Sequence, residues 1–123
     1  MDAVMSFADP ADLYHSVKRA WASETVSTAF DPANPCRNQC AVTALAVQHL
    51  MGGEIVKTRT KGGTHFYNLI DGRYWDLAAD QFDEPIPYEN LPTSTGEAFD
   101  HATSAQLDAL LANIASARRW SIA

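Results

Sequence analysis

The segment QCAVTALAVQHLMGGEIVKTRTKGGTHFYNLIDGRYWDL, residues 39–77, changes its hydrophobic period partway along. From Gln39 or Cys40 to Met51 it suits a helix, and at ~100° per residue Cys40, Ala44, Val47 and Met51 share one side while Val42, Leu45, Ala46 and Leu50 cover the other. A helix that is apolar nearly all round is central and buried. Gly52-Gly53 stops it by admitting left-handed backbone. Glu54 to Thr60 and Thr64 to Ile70 are then β-rich runs separated by Lys61-Gly62-Gly63, and Arg73 to Leu77 follows across Asp71-Gly72. An Asp-Gly pair between such runs signals a two-residue hairpin, because a type I′ turn needs positive φ at both central positions. The spacing therefore predicts a buried helix followed by an antiparallel meander.

The flanks extend this outline. Asp9 suits an N-cap, Pro10 the first helical position and Asp12 the positive end of the dipole. Leu13, Val17 and Trp21 then share one face of a helix of about three turns. Ser23 to Pro35 lacks either apolar period and reads as a long loop, a class enriched in function. Beyond Asp80-Gln81-Phe82, the prolines Pro85, Pro87 and Pro92 allow a short edge strand at most. Thr103 and Gln106 fit a capping box opening a last helix whose core stripe is Leu107, Leu110, Leu111 and Ile114. The fold class is small α+β, with flanking N- and C-terminal helices.

Composition bounds the rest. At 123 residues and 13.4 kDa the chain fits a single domain spanning 1–123. With 46% hydrophobic and 20% charged residues it can bury a core without staples. Its net charge of -6 has the wrong sign for gathering nucleic-acid phosphates or anionic lipid. The two cysteines are too few and too close for a disulfide framework, which makes a reducing cytoplasm the expected location. Met1-Asp2-Ala3-Val4-Met5 has no basic segment ahead of an apolar stretch, and no apolar run approaches the ~20 residues of a membrane helix.

Cys40 carries the chemistry. A thiol at a helix N-terminus faces unpaired amides and the positive dipole end, both of which favour a thiolate; the bland reading is a free cysteine that fills space. With a two-residue loop at Asp71-Gly72, His65 faces Ala78 and Tyr67 faces Asp76. Asp76 then lies diagonal to His65 on one sheet face, at a β-carbon separation of ~7 Å, within reach of a carboxylate–imidazole hydrogen bond. A three-residue loop would flip one strand and destroy that geometry. Nucleophile, base and orienter in the order Cys40, His65, Asp76 generalise the serine triad.

These residues also carry a resemblance. Asn34-Pro35-Cys36-Arg37-Asn38-Gln39-Cys40-Ala41-Val42-Thr43-Ala44-Leu45, Gly52-Gly53-Glu54-Ile55, Gly63-Thr64-His65-Phe66-Tyr67-Asn68, Tyr74-Trp75-Asp76-Leu77 and Gln81-Phe82 resemble the YunG-like family of small bacterial proteins, as does Trp21-Ala22-Ser23-Glu24-Thr25. The likeness runs over roughly residues 12 to 100 and is most specific at Gln39 to Ala44. It implies a papain-like or transglutaminase-like fold and maps an active site onto Cys40, His65 and Asp76. Cys36 departs from the pattern, which typically has a small non-cysteine residue there.

The remaining candidates are weighed beside these. For the oxyanion, the Cys40 amide, Gln39 and Asn34 are donors, with turn capping as the ordinary role of Asn34 and Asn38. An exposed Cys36 could resolve an oxidised Cys40, or Cys36, Cys40 and His65 could bind zinc, although the spacing fits no compact zinc motif; the leading reading of Cys36 is incidental. Gly62-Gly63 would let a substrate backbone come close, or simply make a turn. Asn68 alternates away from His65. Tyr67 shares the His65 face and is placed to line a pocket, while Phe66 and Trp75 pack the core. His15 is read as solvated, His49 as a core residue, His101 as part of the approach to the last helix, and Arg118-Arg119 as complements to its dipole.

The expected function is cysteine-dependent acyl transfer, whether amide or thioester hydrolysis, deamidation or transamidation, on a peptide, protein or small acyl substrate. No cofactor or metal is called for. A non-catalytic binding module on the same fold is the alternative, and a protein partner or a second copy of the chain is open.

Overall fold

The computed structural model describes residues 6–121, so the opening Met1 to Met5 lies outside the described residues. Helix α1, Pro10–Val17, begins as its sequence dictates, with Asp9 accepting from the Asp12 amide at 2.8 Å and Pro10 in the first turn. It is shorter than the expected three turns, because the chain leaves the helix at Lys18. Trp21 is nevertheless buried, and its indole N–H donates to Thr43 Oγ1 at 2.9 Å, pinning the loop to the next helix. Ser23–Thr25 forms a 3-10 turn within the long loop.

Helix α2, Cys40–Met51, has an unbroken buried run from Ala41 to Val47, as its apolar circumference requires. In its last turn His49 faces solvent while Leu50 and Met51 still pack against the core, which corrects the expectation of a core histidine. Gly52 at φ 77 and Gly53 at φ 79 end the helix and feed strand β1, Glu54–Thr60. A Cβ on Gly53 would lie 2.4 Å from the Leu69 carbonyl oxygen, so this position needs glycine on both conformational and steric grounds.

Strands β2, Gly63–Ile70, and β3, Arg73–Trp75, complete the meander, and β4, Leu91–Pro92, pairs antiparallel with β1 as the short edge strand. The sheet order is β3-β2-β1-β4. Asn68 pairs with Trp75, Leu69 with Tyr74 and Ile70 with Arg73. This is the register of the two-residue loop, and Asp71 at φ 50 with Gly72 at φ 77 supply its positive backbone angles.

Among the described residues two further helices follow, α3 at Thr95–Phe99 and α4 at Ser104–Ser121. Ser94 accepts from the Glu97 amide at 3.1 Å to cap α3, a helix not read from the sequence. Thr103 and Gln106 cap α4 reciprocally, at 2.8 and 3.1 Å, as the capping-box pattern predicts. Leu110 and Ile114 are fully buried, with Leu107 and Leu111 packed at the core's edge. Arg118 does more than complement the dipole: it pairs with Asp12 at 2.8 Å and lies over the Phe7 ring, tying α4 to the N-cap region of α1. The result is α+β, with α2 packed against one face of a four-stranded antiparallel sheet and α1 and α4 packed against α2 and each other. No helix among the described residues is long and apolar enough to cross a membrane.

Candidate functional site

Alternation along β2 divides its residues between two faces. Phe66 joins the helix-side core, and Asn68 donates to the Ala44 carbonyl of α2 at 3.0 Å, so Asn68 lies away from His65 as expected. His65 and Tyr67 occupy the opposite face, under the segment that returns from β3 to β4. There Phe82 meets the imidazole edge-on at 4.7 Å, and Tyr88 meets Tyr67 at 5.1 Å.

The hairpin delivers Asp76 to this face. His65 Nε2 stands 2.7 Å from Asp76 Oδ2, with the imidazole 2% and the carboxylate side chain 8% exposed. The same carboxylate accepts the Ala78 amide at Oδ1, 3.1 Å, an Asx-type bond that ends the strand. It also accepts the Tyr88 hydroxyl at Oδ2, 2.7 Å. Three donors thus fix one carboxylate.

The following 3-10 turn, Ala79–Gln81, brings a residue to the other imidazole nitrogen. Gln81 Nε2 is 3.3 Å from His65 Nδ1, and Gln81 is itself held through Ala78 O and the Asn38 amide. Tyr14 of α1 hydrogen-bonds Asp80 and anchors the turn from below.

Cys40 reaches the same place from the start of α2. Its Sγ lies 3.9 Å from the Thr64 carbonyl oxygen, one residue from His65. Burial by itself would push the imidazole pKa down; the Asp76 hydrogen bond, the Cys40 side chain and the charges of both outweigh it and raise the imidazole to about 9. Cys40, His65 and Asp76 are therefore brought together. Cys40 also opens onto solvent through a cleft of about 280 Å³ whose walls include Thr28, Asn38, Gly62, Gly63, Thr64 and His101. A Cβ on Gly63 would meet nothing within 4 Å, so that rim is open space.

Gln39 is placed differently from the expectation. Its side chain is fully buried, accepting from Thr25 Oγ1 and donating to the Pro35 carbonyl at 2.9 Å. It clamps the long loop and is turned away from the cleft, which corrects its assignment as a side-chain oxyanion donor. Asn34 likewise binds the Gln81 carbonyl at 3.2 Å. The donor left at the nucleophile is the backbone amide of Cys40, at a helix start with no side-chain cap.

Cys36 is also corrected, since it is buried while Cys40 is the partly exposed thiol. Burial, and then the nearby Asp80 carboxylate, push the Cys36 thiol up to about 12. That is the reverse of a solvent-facing resolving cysteine. Among the described residues no three His, Cys, Asp or Glu side chains are placed to hold a metal ion.

A family model described as "YunG protein" matches residues 9–119. The chain belongs to this YunG family. A relative from Bacillus subtilis (strain 168), named "Uncharacterized protein YunG", is 41% identical over 83 residues, covering 68% of this chain and 71% of the relative. No solved structure matches the chain. Within this YunG-family chain, sequence reasoning missed two residues of the site. From sequence Gln81 reads only as part of the resemblance and of the approach to the polar connection, and the 3-10 turn that brings it to His65 carries no periodic signal. Tyr88 sits in a proline-rich connection with no periodic signal to place it.

Proposed function

We propose that the chain is a cysteine-dependent acyl-transfer enzyme with a papain-like or transglutaminase-like arrangement, using Cys40, His65 and Asp76. The observation that carries this reading is the division of the imidazole's two nitrogens. Nε2 is held by Asp76 at 2.7 Å, which leaves Nδ1 as the nitrogen to exchange a proton with Cys40. A nucleophile, a base and an orienting carboxylate with these roles are the parts acyl chemistry needs.

In the proposed reaction the Cys40 proton has already passed to His65, whose pKa of about 9 keeps it an imidazolium at neutral pH, and Cys40 Sγ attacks the carbonyl carbon of an amide, ester or thioester as the thiolate of that pair. The carbonyl π pair moves onto oxygen, and the Cys40 backbone N–H steadies that charge; a single such donor is worth ~3 kcal/mol where measured. Collapse expels the amine, alcohol or thiol with the proton from His65, leaving a thioester on Cys40. Water or an amine then attacks, and the thiol is regenerated. Asp76 keeps the imidazolium oriented throughout, and Tyr88 and Ala78 keep Asp76 oriented.

A panel of acyl reporters, a thioester, an activated ester and a glutamine-like amide, tests this by intact-protein mass spectrometry. The expected result is a covalent acyl adduct mapped to Cys40 in the wild type and absent in Cys40→Ser. If no reporter acylates or turns over at Cys40, the reading fails and the chain is a binding module on this scaffold.

A further inference from the structure

Among the described residues the two most exposed large hydrophobic side chains are Tyr74, at 50%, and Tyr88, at 45%. Both open onto one pocket of about 420 Å³, whose walls also include Tyr67, Trp75 and Asp76. Pockets of this size hold small organic ligands. Tyr67 meets Tyr74 at 6.4 Å and 61°, and Tyr88 at 5.1 Å and 80°. Rings at such angles do not stack shut against one another, and they can surround a rounded group. Neither Cys40 nor His65 lines this pocket.

Its chemistry narrows the ligand. Aromatic faces carry a negative quadrupole that attracts cations, and the faces offered here are those of the tyrosines, since Trp75 packs against the core. No lysine or arginine lines the pocket, Asp76 is its one carboxylate, and the whole chain carries -6. A primary ammonium or a guanidinium would need acceptors for its N–H groups. The carboxylate and amide oxygens present are already engaged, because Asp76 Oδ2 accepts from His65 and Tyr88, Asp76 Oδ1 from the Ala78 amide, and Asn90 Oδ1 from Tyr67, which leaves only phenol oxygens among the side chains. A cation that brings methyl groups and no donors avoids that cost.

We infer that the pocket between Tyr74 and Tyr88 is a binding site for a quaternary or fully methylated ammonium group. The inference stands apart from the acyl-transfer proposal, since it needs only the aromatic walls and the occupied acceptors. The links to the catalytic residues are Asp76, which forms part of both, Tyr88, which donates to Asp76, and Tyr67, whose ring stacks on His65. A bound cation therefore places positive charge beside the carboxylate that holds His65.

Choline and tetramethylammonium, titrated against the wild-type protein with tyrosine and tryptophan fluorescence and ring NMR shifts as readouts, test the site. The neutral isostere 3,3-dimethylbutan-1-ol and the primary amine ethanolamine serve as comparisons. The expected result is saturable choline binding at least about tenfold tighter than either comparison, weakened about tenfold by Tyr74→Leu and kept by Tyr74→Phe. The His65 NMR titration should also move to lower pH when choline is bound. Absence of saturable binding by either cation, equal binding of the neutral isostere, or full binding by a folded Tyr74→Leu variant would overturn the assignment. The cation-versus-isostere comparison is made on the wild type, so it decides the matter even if a variant fails to fold.

Discussion

His65 and Asp76 meet across the Asp71-Gly72 hairpin with imidazole Nε2 2.7 Å from carboxylate Oδ2. The pair exists because the turn has two residues, since one residue more would send one of the two side chains to the other sheet face. Both turn positions have positive φ, and Gly72 sits at 77°.

Glycine replacement separates strain from crowding. Gly72→Ala meets no atom within 4 Å and carries backbone strain alone, whereas Gly53→Ala adds a 2.4 Å clash with the Leu69 carbonyl. Urea unfolding is expected to show a loss of ~1–2 kcal/mol for Gly72→Ala and of more than ~3 kcal/mol for Gly53→Ala. Equal losses would contradict the turn geometry.

Stability should depend on pH through His65. Its folded pKa, about 9, lies above the ordinary 6.5, so the folded state holds this proton more tightly than the unfolded chain. The contribution is fully present below pH 6.5 and is lost as pH rises toward 9. Measured by urea unfolding across that window, the wild type should lose on the order of 3 kcal/mol more than His65→Gln. Parallel curves would show that the imidazole is not held as a cation.

Gln39 should behave as a structural clamp. Gln39→Leu leaves the Pro35 carbonyl without its side-chain donor and removes one acceptor of the Thr25 hydroxyl, which keeps its bonds to Ala22, for an expected loss of ~2 kcal/mol in denaturant unfolding. A side-chain oxyanion donor would instead cost ~10²–10³ in turnover while leaving stability in place.

The two thiols should separate cleanly. Cys36 is 1% exposed with its thiol pushed up to about 12, while Cys40 opens onto a cleft. Alkylation of the native protein followed by peptide mapping is expected to mark Cys40 first and Cys36 only after denaturant is added. Early labelling of Cys36 would refute the burial.

Much of this was legible in the sequence because local rules governed it. Asp9-Pro10, Thr103 with Gln106, Gly52 after Met51 and Asp71-Gly72 each act through bonds to residues a few positions away. The register from that last turn was enough to put Asp76 beside His65. What stayed hidden depended on tertiary position. Gln39, next to the partly exposed Cys40, points inward to Thr25 and Pro35, and Cys36 lies buried against the Ala78 carbonyl. His49 follows the helical wheel of a buried helix yet faces solvent in its last turn, between residues that still pack. Tyr88 reaches Asp76 only because Glu89, bonded to Thr58 and Arg59, and Asn90, bonded to Tyr67, hold the returning segment on the sheet. No periodic pattern encodes those bonds.

The central claim is that His65 makes Cys40 a nucleophile. It is tested most directly by the second-order rate of Cys40 alkylation by iodoacetamide at about pH 6, in the wild type and in His65→Gln, beside a free thiol. The account predicts that wild-type Cys40 reacts at least about tenfold faster than either comparison. Equal rates in all three would contradict it.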